Sequence, residues 1–369
     1  MLRSSILDLR FTSVRSPSII IRIVNFIKLL SSYFLSILLR KPIHRGFPAY
    51  VSIEPTNHCN LRCVECPTGQ QGLTRPTGTL KFPDFKRFID QLTPSLSRLT
   101  LYFQGEPYLN RDLFDMISYA RARKIFVWTS TNGHYLTEQN IRRTIEAGLN
   151  KLVIPVDGTD QAAYEQYRIG GSLETVLEGI RRFVRISREM KSRYPRLEIQ
   201  FLVLKSNEHQ KIEIKKLGNL LGMDRTVLKT AQFYDFEQGN ALMPEAGKYC
   251  RYKRTGGQAD KRAQGHRGTE AQSHQSRVTN PESRIPDSQF IIKNPMPDRC
   301  FRMWSGCVIT WDGKVAPCCF DKDADHCLGD LNEQTFEEIW RGEKYSQFRQ
   351  TILKNRKSVD ICRNCSQRW

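Results

Sequence analysis

Cys59, Cys63 and Cys66 are separated by three and then by two residues in the run Cys59-Asn60-Leu61-Arg62-Cys63-Val64-Glu65-Cys66, directly after an apolar segment. A short loop that turns three thiolates inward can hold three corners of a cubane iron-sulfur cluster, which cysteine sulfur ligates and which usually takes four such ligands. One iron would then lack a protein ligand and offer a coordination position to something else. Zinc is the competing reading, since structural zinc closes to four ligands and His58 adjoins the loop. His58 is next to Cys59 in sequence, a poor position from which to complete a tetrahedron with it.

A second cysteine group lies at the other end of the chain. Cys300, Cys307, Cys318 and Cys319 surround Asp312-Gly313, and Val308 to Trp311 and Val315 flank that dipeptide as the arms of a predicted hairpin. The hairpin brings Cys300 or Cys307 toward Cys318. Helices are predicted from Thr335 to Arg341 and on to about Lys354, after which the chain reaches Cys362-Arg363-Asn364-Cys365. Two-residue spacing lets both sulfurs reach one metal. A hairpin with Cys-x2-Cys is also how zinc ribbons are built, so spacing alone leaves iron-sulfur and zinc open here.

The chain has 369 residues, enough for a large domain and a small one. No cleavable leader pattern is expected, and eleven cysteines in a chain of this size point to metal ligation in a reducing, cytoplasmic compartment rather than to disulfides. The formal charge of +19 fits nucleic acid, an anionic membrane surface or an acidic substrate. No run alternates basic and aromatic residues as a stacking platform would, so no nucleic-acid partner is expected.

From residue 50 onward, apolar strands alternate with amphipathic helices, the pattern of a parallel α/β sheet. Strands are predicted at Val51 to Ile53, Leu99 to Phe103, Ile125 to Trp128, Leu152 to Val156, Leu197 to Val203 and Val227 to Ala231. Helices are predicted at Pro83 to Leu92, Asp112 to Arg123, Thr137 to Ala147, Gln161 to Tyr167 with Ser172 to Ser192, and Glu208 to Leu221. Six such units make a partial (β/α)6 barrel of TIM-like character. Active sites of such barrels gather at the carboxyl ends of the strands, and the first cysteine loop follows the first strand. Gly105-Glu106-Pro107, Ser130-Thr131-Asn132-Gly133 and Asp157-Gly158 close the second, third and fourth strands, and Tyr164 and Arg168 lie one helical turn apart beyond them.

Residues 18–39 approach bilayer-spanning length, but Arg22, Asn25, Lys28 or Ser32, and Ser36 recur every three or four residues as one polar stripe. The expectation is an amphipathic helix that lies on a membrane surface or packs on the catalytic domain. Residues 251–285 have almost no large apolar side chains and are expected to form a flexible basic segment. The domain expectation is therefore an N-terminal helical segment (1–48), the partial barrel (49–245), a linker (246–295) and a small cysteine-rich domain (296–369).

The Cys-x3-Cys-x2-Cys loop, with the turns after the second to fourth strands, resembles the radical S-adenosylmethionine (SAM) superfamily. The C-terminal group, with Gly313 and Cys318 matching Gly-x4-Cys, resembles that family's SPASM extension. The resemblance covers roughly residues 49 to 369. It implies one 4Fe-4S cluster on Cys59, Cys63 and Cys66 whose open iron chelates SAM. It implies an auxiliary 4Fe-4S cluster on Cys300, Cys318, Cys362 and Cys365, with Cys307 in reserve. It further implies SAM contacts from Gly105, Glu106, Asn132, Asp157 and Arg168, with Arg168 offered to the SAM carboxylate. Two positions depart from the family pattern: Pro155 stands where many relatives have serine, and Val64 and Glu65 stand where an aromatic residue often packs on adenine. The implied activity is reductive cleavage of SAM and hydrogen abstraction by the resulting 5′-deoxyadenosyl radical, with a flavodoxin or ferredoxin as electron donor. A peptide or protein is the expected substrate. The alternatives are a membrane-associated small molecule, handled at the inner membrane face, and a non-enzymatic iron-sulfur or zinc protein that binds nucleic acid.

Overall fold

The computed structural model describes residues 17–245, 247–255 and 290–366. Six strands, β1 (Tyr50–Ile53), β2 (Arg98–Thr100), β3 (Phe126–Ser130), β4 (Lys151–Pro155), β5 (Arg196–Val203) and β6 (Arg225–Thr230), pair in parallel in sequential order. β7 (Tyr252–Arg254) and β8 (Phe290–Ile292) form a separate antiparallel ladder, and β9 (Gly306–Ile309), β10 (Lys314–Ala316) and β11 (Gly329–Asp330) extend the main sheet to nine strands. The helices are α1 (Pro17–Leu39), α2 (Phe82–Leu92), α3 (Leu113–Ala122), α4 (Glu138–Glu146), α5 (Gln161–Glu165), α6 (Leu173–Glu189), α7 (Glu213–Leu220), α8 (Arg302–Ser305), α9 (Phe336–Arg341), α10 (Glu343–Asn355) and α11 (Asp360–Arg363). The α/β alternation read from periodicity is thus present from β1 through α7 and β6, and among the described residues no α-helix lies between β6 and β7.

Local chemistry explains where the elements begin. The Thr137 hydroxyl accepts the Asn140 N–H at the start of α4, and the Ser172 hydroxyl accepts the Thr175 N–H at the start of α6. Leu173, Val176, Leu177, Ile180, Phe183 and Ile186 then form one buried stripe of α6 in the core shared with the strands. Among the described residues no ladder joins β6 to β11.

The edge of β1 decides the domain arrangement. An open six-stranded sheet would leave the N–H and C=O groups of β1 unpaired. β9 fills that edge in parallel register, with Tyr50 opposite Gly306, Val51 opposite Cys307 and Ile53 opposite Ile309. Gly306 is needed there, since a Cβ would fall 2.2 Å from the Tyr50 carbonyl oxygen. The hairpin expected from Asp312-Gly313 is formed by β9 and β10, but it does not build a sheet of its own. Cys307, Ile309, Val315, Phe336, Trp340 and Tyr345 belong to the same continuous core as the barrel strands.

The expected linker (246–295) is interrupted by structure at both ends. Tyr252 pairs opposite Ile292 and Arg254 opposite Phe290. Tyr252 and Ile292 are buried with Phe233, Phe236 and Cys250, which gives this segment the apolar contacts that a linker lacks. The rest of the segment read as flexible and basic, residues 256–289, lies outside the described residues.

Candidate active site between two cysteine groups

The first cysteine loop leaves β1 and is held by backbone bonds to the end of the α5 turn. The Arg62 N–H donates to the Ile169 carbonyl at 3.0 Å and the Val64 N–H to the Tyr167 carbonyl at 3.2 Å. The Cys66 N–H turns back onto the Cys63 carbonyl at 3.1 Å. The three thiols lie within electrostatic reach of one another, and burial pushes the Cys59 thiol up to about 11 and raises Cys63. A metal would reverse that preference, because coordination takes the deprotonated sulfur.

The turn after β2 packs directly on this loop. Gly105 has φ +71°, and a Cβ there would lie 2.5 Å from the Thr56 carbonyl oxygen and 2.6 Å from that of His58, so glycine is required both by conformation and by space. The Glu106 N–H donates to the His58 carbonyl at 2.7 Å. The Glu106 carboxylate is 1% exposed and accepts the Tyr108 N–H, the Thr131 hydroxyl and the Asn132 N–H at 3.1, 2.8 and 2.7 Å. Burial raises its carboxyl to about 7, and these hydrogen bonds with the Arg168 charge oppose the rise. Asn132 donates from Nδ2 to Asn60 Oδ1 at 2.7 Å and lies 4.0 Å from Cys59 Sγ. The Gly105-Glu106 and Asn132 turns, read separately from the sequence, therefore form one hydrogen-bonded unit against the loop.

Asp157 and Arg168 form a second unit. Arg168 Nε and Nη2 both lie 2.7 Å from Asp157 Oδ2, and Nη1 lies 3.5 Å from Cys63 Sγ. Asp157 Oδ1 accepts the Leu202 N–H at 2.7 Å, which ties the pair to β5. With Pro155 in place of serine, the Asp157 carboxylate positions Arg168. Glu65 accepts from Asn240 Nδ2 at 2.7 Å and braces the loop against the segment after β6. Val64 packs with the apolar group around Tyr167 and Phe233.

The C-terminal cysteines divide into those that converge and those that do not. Cys300 and Cys365 are buried, Cys362 is half-buried, and each of these thiols feels the others; Cys318 is within reach of Cys300. Cys300, Cys318 and Cys362 share one apolar cluster with Trp304 and Val359. Cys307 instead enters the main core beside Tyr345, where burial pushes its thiol up to about 12. Register decides this: in a strand buried on both faces, one side chain cannot reach both sides. Asn364, between Cys362 and Cys365, accepts the Tyr252 hydroxyl at 2.8 Å and donates to the Phe233 carbonyl at 2.5 Å, so the terminal pair is clamped to the barrel.

Four residues that were not singled out from the sequence stand beside these sulfurs. Tyr102 is placed against Cys59, Cys63 and Cys66, and burial raises its phenol far above the usual value. Arg302 faces Cys318, Cys319 and Cys300, and Arg356 faces Cys300, Cys362 and Cys365 with a hydrogen bond to Cys362; burial opposes their charge and the thiols restore it. Tyr234 lies within reach of both Cys66 and Cys319, and burial pushes its phenol up to about 12. Tyr102 and Tyr234 are far in sequence from the cysteines they meet, and Arg302 and Arg356, though near Cys300 and Cys362 in the chain, also reach Cys318 and Cys300 respectively, contacts that no spacing rule would find.

Among the described residues no three His, Cys, Asp or Glu side chains close on a single point as ligands of one ion would. A 4Fe-4S cubane carries its irons at alternate corners, with sulfide between them, and so holds its cysteine thiolates apart. Two clusters of thiols, each with a guanidinium at its margin, suit an anionic cluster, and the donor set is all sulfur.

The chain matches the radical SAM superfamily over residues 53–195 and the SPASM domain, an iron-sulfur cluster-binding domain, over residues 300–366. It belongs to the radical SAM superfamily, carries a C-terminal SPASM domain, and is an enzyme whose cofactors are a 4Fe-4S cluster, SAM and auxiliary iron-sulfur. Within that class it is 24% identical over 299 residues to an AdoMet-dependent heme synthase of Methanosarcina barkeri, covering 79% of this chain and 82% of that protein. The fold is shared with Streptococcus suis SuiB bound to the precursor peptide SuiA, at TM-score 0.56, 13% identity and coverage of 86% of this chain and 71% of that one. It is also shared with anSMEcpe bound to AdoMet and the Cp18Cys peptide, at TM-score 0.53, 12% identity and coverage of 86% and 88%.

Proposed function

We propose that this enzyme abstracts a hydrogen atom from a residue of a peptide or protein segment held between its two cysteine groups. The observation that carries the reading is a cavity of about 640 Å³ whose wall is drawn from both groups. Glu65, Pro67 and Gln70 come from the first cysteine loop, Phe320 to Asp323 follow Cys319, Asp360 to Asn364 surround Cys362, and Tyr234 stands between them. In this reading Cys59, Cys63 and Cys66 hold the SAM cluster, and Cys300, Cys318, Cys362 and Cys365 hold the auxiliary one. When bound, such a cluster would supply the electron for reductive cleavage of SAM and so the hydrogen-abstracting chemistry, while these residues hold the two groups.

The protein's part is to hold and shield. Glu106, kept in place by Thr131 and Asn132, offers its remaining lone pairs to the SAM amino group. Gly105 lets that turn approach the loop, and Asn132 borders Cys59. Arg168, fixed by Asp157, presents Nη1 at Cys63 for the SAM carboxylate. A flavodoxin or ferredoxin supplies the electron.

The cavity lining argues for the class of substrate. Glu65, Asp235, Glu237, Asp321, Asp323, Asp325 and Asp360 face it against Lys322 and Arg363, although the chain as a whole is strongly basic. Carboxylates repel a polyanion and admit a cationic or neutral side chain. Two proteins of the same fold hold peptides, which supports the same direction. The similarity to a heme synthase favours a second reading, a carboxylate-bearing macrocycle, which this lining opposes. The test is anaerobic turnover with deuterated basic peptides and, separately, a deuterated iron porphyrin precursor. Deuterium in 5′-deoxyadenosine from the peptides supports the proposal; transfer from the porphyrin alone overturns it.

A further inference from the structure

α1 is built inside out. Its polar stripe, the side expected to meet water, is the side that docks on the protein. Asn25 exchanges two hydrogen bonds with the Phe47 backbone, each 2.8 Å. The Ser32 hydroxyl accepts the Arg45 N–H at 3.1 Å, and the Ser36 hydroxyl accepts the Ile43 N–H at 2.9 Å. Arg22 donates to the carbonyls of Pro94, Arg123 and Lys124. The opposite face carries Ile20, Ile23, Val24, Ile27, Phe34 and Leu38, of which Phe34 is 63% and Leu38 77% exposed. A contiguous apolar face of this length on a protein surface marks an interaction site. Because the polar stripe is bonded along the helix from Arg22 to Ser36, the helix lies flat on the body, although its composition is apolar enough to cross a bilayer.

The charge around this face selects the occupant. Lys28 is exposed on its margin, and Arg40 and Lys41 are exposed at its C-terminal end. There a cavity of about 500 Å³ is lined by Ile37, Arg40, Met296, Arg299 and Lys357. The acidic residue in its wall, Asp298, already accepts the Arg356 N–H at 2.9 Å. An apolar helix face that ends in a basic pocket matches a lipid surface that offers acyl chains beside phosphates.

We propose that α1 docks this enzyme on an anionic phospholipid bilayer, with Ile27, Phe34 and Leu38 in the acyl boundary and lipid phosphate at Arg40, Arg299 and Lys357. The helix is monotopic: it lies in the membrane plane and leaves the cavity between the cysteine groups on the protein body. The proposal is independent of the substrate reading.

Flotation of the full-length, cluster-loaded protein with extruded vesicles tests it. Vesicles of phosphatidylcholine with phosphatidylglycerol should carry the protein about tenfold more strongly than phosphatidylcholine alone, and added salt should remove the difference. Phe34→Asp and Leu38→Asp should each lower partitioning by about tenfold or more while SAM cleavage and iron content stay at the wild-type level. Because the two sites are tested separately, a variant that fails to fold leaves the other to decide. Arg299→Glu with Lys357→Glu should abolish the preference for phosphatidylglycerol and retain the weaker partitioning. Wild-type protein that stays at the bottom with both vesicle types, or Asp variants that float equally well, would overturn the proposal. So would a lipid-free dimer in sedimentation velocity that Phe34→Asp dissolves, which would assign the face to a second copy of the chain.

Discussion

The Arg168 guanidinium lies 2.7 Å from the Asp157 carboxylate and, through Nη1, 3.5 Å from the Cys63 sulfur, so one side chain links the fourth strand to the first cysteine loop. Asp157 is fully buried, and replacing Arg168 leaves its charge uncompensated. Arg168→Gln should cost about 3 kcal/mol of stability and lower SAM cleavage. Arg168→Lys should recover part of the stability but little of the cleavage, because an ammonium cannot bridge both partners. Melting temperature and 5′-deoxyadenosine yield read the two effects apart; a wild-type melt for Arg168→Gln would refute the pairing argument.

Glu106 sets a pH dependence. Its folded carboxyl is raised from 4.5 to about 7, chiefly by burial. The folded state therefore binds the proton more tightly than the unfolded one, so this contribution is fully present below pH 4.5 and is lost as pH rises through 7. Stability should fall between about pH 5 and 8, and Glu106→Gln should flatten that slope. Thermal melts across this range are the check, and a Gln variant with the same slope as the wild type would remove Glu106 as its source.

A second buried pair joins the barrel to the C-terminal segment. Arg75 meets Glu54 through two bonds of 2.6 Å, Glu54 also accepts the Trp311 N–H, and Arg75 donates from Nε to the Lys322 carbonyl. Both side chains are almost wholly buried. Glu54→Gln or Arg75→Met should destabilise the protein by about 3 to 5 kcal/mol, since each leaves the other charge unpaired. Denaturant unfolding should show one transition moving as a unit, given the shared sheet; two separated transitions would contradict that sheet's cooperativity.

Gly105→Ala combines positive φ with backbone atoms 2.5 and 2.6 Å from the new Cβ. It should destabilise by at least about 2 kcal/mol and reduce iron at the SAM site, measured by iron content and electron paramagnetic resonance. Unchanged iron and stability would show that the turn shifts freely.

The C-terminal thiols separate by role. Cys362→Ser should lose the auxiliary cluster's iron while SAM cleavage persists in part, whereas Cys63→Ser should abolish cleavage. Cys307→Ser should keep all iron and lose stability, because a hydroxyl then occupies an apolar core without a designed partner. Loss of iron in Cys307→Ser would reverse the assignment.

Cysteine spacing, the six strands with the helices between them and the Asp312-Gly313 hairpin are all legible in the chain by itself. Each depends on residues within a few positions of one another, where propensity and periodicity act. Tertiary structure alone decides what depends on distant partners. The pairing of β9 with β1 follows from an open sheet edge that no local pattern describes. The placement of Cys300 and Cys307 in different apolar clusters follows from which side of β9 meets the core. Tyr102, Tyr234, Arg302 and Arg356 reach sulfurs far away in sequence. The polar stripe of α1 is plain in the sequence, yet only the waiting backbone groups of Phe47, Ile43 and Arg45 determine that it turns inward and leaves the apolar face outside.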